Sequence, residues 1–113
     1  MPLVSWTDEQ ILNQLISGYR WSGATITYSF AASAAGIFTG NGEGSGFVAL
    51  GAQAQASARL AVQLWDDLIA SSFSSVTSGA SSTDSDIEFG SSSTTGSYAH
   101  AYFPSVGSVW FNS

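Results

Sequence analysis

The chain has no cysteine and no lysine, one histidine, two prolines and only two cations, Arg20 and Arg59. Without cysteine there is no disulfide framework and no thiolate to act as nucleophile or metal ligand, and the redox compartment stays open. The two arginines face eight carboxylates, for a formal net charge of −6. Phosphate backbones are gripped by clustered Lys and Arg, so nucleic acid is excluded as a partner, and an anionic membrane surface would repel the chain. No run approaches the roughly 18 consecutive apolar residues of a membrane-spanning helix. Residues 1–10 have neither the basic start nor the apolar stretch of a secretory signal. A cytoplasmic protein fits that pattern, and so does export by a C-terminal signal. Scarce charge, no lysine and abundant Ser, Gly and Thr favour an exported bacterial protein.

The lone histidine, His100, narrows the chemistry furthest. A catalytic zinc takes three protein ligands, usually two or three of them histidines, and keeps a fourth position for water. One His, no Cys and dispersed carboxylates do not supply that set, and the H-E-x-x-H-x-x-G-x-x-H pattern is absent. A Ser-His-Asp triad is possible by count, but no G-x-S-x-G elbow occurs and nothing in the sequence sets a particular serine beside His100. Asp84, Asp86 and Glu88 alternate and could offer oxygens to calcium. A strand at 84–89 instead turns Asp86 and Glu88 together to solvent, with Ile87 and Phe89 inward. No catalytic residue and no metal ligand is assigned, and the plain reading of His100 is a half-exposed strand residue between two alanines.

What is present supports a packed domain. At 113 residues and 44% hydrophobic, with seven Phe and four Trp, the chain is long enough for one core. Thr7 and Gln10 make a capping box ahead of Ile11, Leu12, Leu15 and Ile16, and Gly18 supplies a stop, predicting a helix over 8–17. Residues 25–30 alternate as a strand, with Ile26, Tyr28 and Phe30 on one face. The glycine-rich run 40–46 fits no phosphate-binding pattern and reads as a mobile connection. Phe47, Leu50, Ala54, Ala61, Trp65 and Leu68 recur at helical spacing and predict a long helix over 47–70, about 33 Å of it. Ala54, Ala58 and Ala61 would let that helix lie close to a sheet. Asp66 and Asp67 sit against its dipole without evident reason. Strand signals return at 73–76 and 84–89 within a Ser/Gly/Thr-rich stretch, and two more strands flank a tight turn at Pro104 and Gly107. The order strand, long helix, strands predicts an α+β fold with a mixed sheet and the helix on one face.

Five blocks stand in order: Ile26 to Phe30 (ITYSF), Ala58 to Asp67 (ARLAVQLWDD), Asp86 to Gly90 (DIEFG), Ala99 to Pro104 (AHAYFP) and Val109 to Asn112 (VWFN). Together they resemble the catalytic domain of serralysin-type zinc metalloproteases of the metzincin group, and residues 11–21 resemble the lead-in helix of those enzymes. The resemblance runs over about residues 8–112 and implies that 1–113 is a single, partial metzincin catalytic domain, its N-terminal half. It implies a twisted five-stranded mixed sheet with strands at 25–30, about 73–77, 85–89, 98–103 and 108–112. The strand 98–103 would be an antiparallel edge lining the substrate cleft, with Ala99, His100, Ala101 and Tyr102 as a wall to which an extended peptide adds by β-augmentation. In the related matrixins the histidine of a similar Ala-His-Ala block binds a structural zinc; its companions are missing here, so zinc is not assigned to His100.

Missing too are the zinc helix, the methionine turn, the C-terminal subdomain and the glycine-rich calcium-binding repeats. The expectation is therefore the N-terminal portion of a secreted zinc-dependent metalloendopeptidase, inactive alone, whose zinc and calcium belong to the complete enzyme. Its partners would be a peptide or protein substrate and either a segment bearing the zinc motif or a second copy of itself. Apolar strand positions such as Val109 and Phe111 should then lie bare, and the stop at Ser113 suggests a fragment or half of a split enzyme. The alternatives are a non-catalytic metzincin-derived binding or oligomerising module and a serine hydrolase using His100.

Overall fold

The structure, a computed structural model, describes residues 5–79 and 81–113. Residues 1–4, part of the segment read above for a secretory signal, lie outside the described residues, as does Ala80. One mixed sheet organises the rest. Its strands are Thr25–Phe30 (β1), Phe47–Val48 (β2), Ser72–Ser75 (β3), Ile87–Ser92 (β4), Ala99–Ala101 (β5) and Ser108–Asn112 (β6). They lie in the order β3-β1-β4-β6-β5, with β2 paired to β4. β3, β1, β4 and β6 are mutually parallel, and β5 runs antiparallel to β6 at one edge. β2 is a sixth strand, where five were expected. It pairs antiparallel with Ser91 and Ser92, on the flank of β4 that β1 vacates after Phe30.

Asp8–Leu15 form the helix α1, closed at its start by the expected capping box. The Thr7 N–H donates to Gln10 Oε1 at 2.9 Å and the Gln10 N–H to Thr7 Oγ1 at 3.2 Å. α1 ends two residues earlier than expected because Ile16 is already extended, and Gly18, at φ +82°, turns the chain. None of its residues is buried, and Ile11, Leu12, Leu15 and Ile16 all face solvent.

The long helix is shorter than its periodicity suggested. α2 spans Ala52–Asp66, 15 residues in place of 47–70. Phe47 explains the loss at the start: drawn into β2, its ring stands edge-on to Trp110, centroids 6.2 Å apart. An aromatic contact in the core outweighs a few tenths of a kcal/mol of helix propensity. α2 also lies rotated from the expected orientation. Gln55, Ala58, Val62 and Asp66 are its half-buried stripe, whereas Trp65 and Leu68 are 60% and 77% exposed. Arg59 reaches across the sheet from this helix, its guanidinium 4.7 Å from the Phe30 ring centre and 2.8 Å from Ser75 Oγ. Asp66, against the helix dipole, has a reason: its carboxylate accepts the Phe73 N–H and so fixes where β3 begins. Nothing in the structure explains Asp67.

Register divides the side chains between two faces. Tyr28, Phe30, Ile87, Phe89, Val109 and Phe111 share the α2 face. Ser29, Glu88, Gly90, Ser92, Ser108, Trp110 and His100 share the other. Residues 31–46 cover this second face, and the core is here, made of Ala31, Ile37 and Trp110 with Phe47 and Tyr102 against them. Trp110 is 0% exposed and its indole N–H donates to the Phe38 carbonyl at 3.0 Å. Val109 and Phe111, expected bare, are half-buried. The radius of gyration, 16.1 Å, exceeds the roughly 13 Å of a closely packed chain of this length. Between β5 and β6 the turn needs Gly107, at φ +73°; a Cβ there would lie 1.9 Å from the Asp86 carbonyl oxygen.

Candidate functional site

β5 is an outer strand of the sheet, and its backbone has a definite polarity. In an antiparallel pair, residues alternate between those that exchange both backbone bonds with the partner strand and those that exchange none. The Tyr102 N–H donates to the Ser108 carbonyl and the Asn112 N–H to the Tyr98 carbonyl, both at 2.9 Å. Tyr98, His100 and Tyr102 therefore spend their backbone groups on β6, although the strand proper is Ala99–Ala101 and not 98–103. Ala99 and Ala101 turn their N–H and C=O groups outward to the free edge. Among the described residues only the Ser97 hydroxyl meets one of them, at 3.4 Å from the Ala99 carbonyl. Their methyl groups are exposed on the α2 side, and the His100 and Tyr102 side chains go to the opposite face.

On that face both side chains converge on Glu43. This residue opens the 3₁₀ turn Glu43–Gly46, entered through Gly42 at φ +81°, and it is only 2% exposed. One oxygen, Oε1, accepts the Tyr102 hydroxyl at 2.7 Å and lies 2.8 Å from His100 Nε2. The other, Oε2, accepts the Asn41 N–H at 2.9 Å, and the Asn41 side-chain amide donates to the Tyr102 oxygen at 2.8 Å. The Ser92 hydroxyl holds the Glu43 carbonyl at 2.7 Å. Burial pushes the Glu43 carboxyl up, but the donors from Tyr102, the backbone at 43 and 41 and His100 outweigh it and hold it at about 2. Burial, and then the same carboxylate, push the Tyr102 phenol up to about 12. At neutral pH a fixed anion thus faces a phenol that keeps its proton. Above them opens a cavity of about 410 Å³ lined by Asn41, Glu43, Thr95, Ser97, His100 and Tyr102.

The structure brings His100 and Tyr102 together through Glu43 and leaves Ala99 and Ala101 at the open edge. Glu43 lies in the glycine run read as a mobile connection, where Glu43–Gly46 form the 3₁₀ turn. The sequence signal that could have found Glu43 is an isolated acid among glycines in a chain with few charges. Ser97, His100 and Glu43 do stand in a row, but the Ser97 hydroxyl is 3.5 Å from His100 Nδ1, too long for proton transfer.

The alternating acids are also corrected. Glu88 lies on the covered face of β4, and Asp86 precedes the strand and is half-buried, so the two do not form the expected solvent face. Asp86 accepts the Thr27 N–H at 2.8 Å and the Thr27 hydroxyl at 3.0 Å. Glu88 is 0% exposed, and neither its carboxyl oxygens nor Ser108 Oγ has a hydrogen-bond partner among the described residues. Burial, with Asp84 and Asp86 nearby, pushes Glu88 up to about 8. Among the described residues no three His, Cys, Asp or Glu side chains are placed to share a metal ion.

On the α2 face a second hollow, about 450 Å³, lies between helix and sheet and is lined by Leu50, Ala54, Ala58, Ser91 and Phe111. No protein-family model matches the chain, and no curated protein and no solved structure matches it either.

Proposed function

We propose that this chain supplies the sheet and the substrate-side wall of a secreted zinc-dependent metalloendopeptidase of the serralysin type. The observation that carries the proposal is the antiparallel edge β5, where Ala99 and Ala101 offer outward backbone donors and acceptors two residues apart. Small side chains at both positions leave room for an extended peptide to add as a further strand. The resemblance of the five sequence blocks gives that peptide its meaning as substrate. In support, the apolar hollow beside α2 gives a further element a place on the same sheet face.

The residues present do not fit a catalytic zinc: there is one histidine, and its Nε2 and both Glu43 oxygens are already engaged with each other or with Tyr102 and Asn41. No hydrolytic step is therefore derived on this chain. Its part is to hold a peptide extended, and the metal ligands would come from polypeptide bearing the zinc motif. A second reading, a non-catalytic module that binds or self-associates, is favoured by the exposed Leu60, Leu64 and Trp65 on α2 and Leu68 just after it.

The test is amide hydrogen exchange of the full chain with a capped hexapeptide of alternating threonine and valine. The expected result is protection of the Ala99 and Ala101 amides, with at least tenfold weaker binding by Ala101→Pro. Proline removes only an outward N–H, so no bond to β6 is lost. Protection confined to other residues would remove the edge-strand reading. Adding polypeptide that bears the zinc motif then separates the two functions: restored caseinolysis supports the protease, and its absence with concentration-dependent self-association supports the module.

A further inference from the structure

We infer that Glu43 is the positioning residue of the peptide-receiving edge, locking β5 to the glycine-rich loop; this rests on the edge-strand reading above. A three-residue edge strand is short, and with one neighbour only it has half the backbone bonds of an interior strand. Something beyond β6 has to hold it flat. One buried carboxylate does so by gripping His100 and Tyr102, alternate residues whose backbones are the ones bonded to β6. With those two side chains held from beneath, the twist and register of 99–101 are fixed, and Ala99 and Ala101 present their free groups already aligned.

The carboxylate is itself anchored. Gly42 and the 3₁₀ turn aim it inward, Asn41 N–H holds Oε2 and Ser92 Oγ holds its backbone carbonyl. Loop and edge therefore behave as one unit, through a residue that no incoming peptide has to touch. Pre-alignment of this kind raises affinity by lowering the ordering cost that binding must meet.

Glu43→Gln keeps the size and discards the charge. Peptide affinity is measured on folded protein, at a temperature where circular dichroism shows each variant fully native, with the same threonine-valine hexapeptide. Glu43→Gln should weaken binding about tenfold, and Tyr102→Phe, which removes one arm, about threefold. Val62→Ala, on α2 and remote from the edge, is the control for general loss of stability and should leave affinity unchanged. Should Glu43→Gln fail to fold, Tyr102→Phe decides. Wild-type affinity in the variants, or an equal loss in Val62→Ala, overturns the inference and leaves the edge-strand reading standing. Wild-type protein in which the peptide protects neither Ala99 nor Ala101 overturns both.

Discussion

Glu43 and Glu88 lie over the same face of one sheet, both out of water, yet burial leaves one near a pKa of about 2 and the other at about 8. The difference is the supply of donors. Glu43 sits in a tight turn whose backbone N–H groups are not used by a ladder, and a phenol and an imidazole reach it from β5. Glu88 is in the middle of β4, where neighbouring backbone groups are spent on strand pairing, and Ser29, the serine opposite it on β1, is bonded to Ser85. Depth alone does not decide whether a carboxyl is an anion; the number of free donors aimed at it does. In this molecule the anion stands beside the open edge and the uncharged acid in the sealed interior.

The sharpest way to break that contrast is pH. Glu88 is raised above its ordinary 4.5, so the folded state holds its proton more tightly than the unfolded chain. The stability this gives is full below about pH 4.5 and lost as pH rises towards 8, a loss on the order of 5 kcal/mol. Urea unfolding of Glu88→Gln at pH 5 and pH 8 should give nearly equal stabilities, against a marked fall in the wild type. A wild type as stable at pH 8 as at pH 5 would mean that Glu88 has partners the sheet does not show.

Glu43 works the other way. Its folded value lies below 4.5, so its contribution is present above that pH and disappears as pH falls towards 2. About 3 kcal/mol is at stake. Thermal melts of Glu43→Gln should lose the acid limb that the wild type shows between pH 5 and pH 2, while keeping the alkaline fall due to Glu88. Together the two glutamates place the stability maximum near pH 4 to 5. The smallest effect is that of Tyr102→Phe, which removes one charge-assisted hydrogen bond and should cost about 1.5 kcal/mol at neutral pH. An unchanged melting temperature would assign the low Glu43 value to Asn41 and His100 instead.

Local rules were legible in the sequence where one local force acted. The capping box at Thr7 and Gln10 is as read, β1 and β6 stand at 25–30 and 108–112 as expected, and β4 begins and ends three residues later than the expected 84–89. Periodicity failed where a distant partner decided. Residues 47–48 carry helical spacing, but the pull of Trp110 on Phe47 makes them strand, and no local pattern reports a residue 63 positions away. The α2 stripe departs from the apolar periodicity: the half-buried positions include Gln55 and Asp66, and Leu60, Leu64 and Trp65 stay in solvent. The site was half legible. Ala99 to Tyr102 could be picked out as an edge, whereas Glu43 carried only its isolation among glycines as a signal, since its partners come from β5 57 and 59 residues on. Alternation also could not tell that residues 31–46 would fold over the face that carries Glu88, or that the strand would begin only after Asp86.

The outward groups of Ala99 and Ala101 also set a scale of length. Only every second residue of a strand presents its backbone to a given side, so a chain lying on β5 finds matching partners at steps of two residues, roughly 7 Å. A one-residue slip puts its donors and acceptors out of phase and sends each of its side chains to the other face. The edge is thus a ruler with a fixed division: a strand added to it would be held in one parity before any of its side chains made contact.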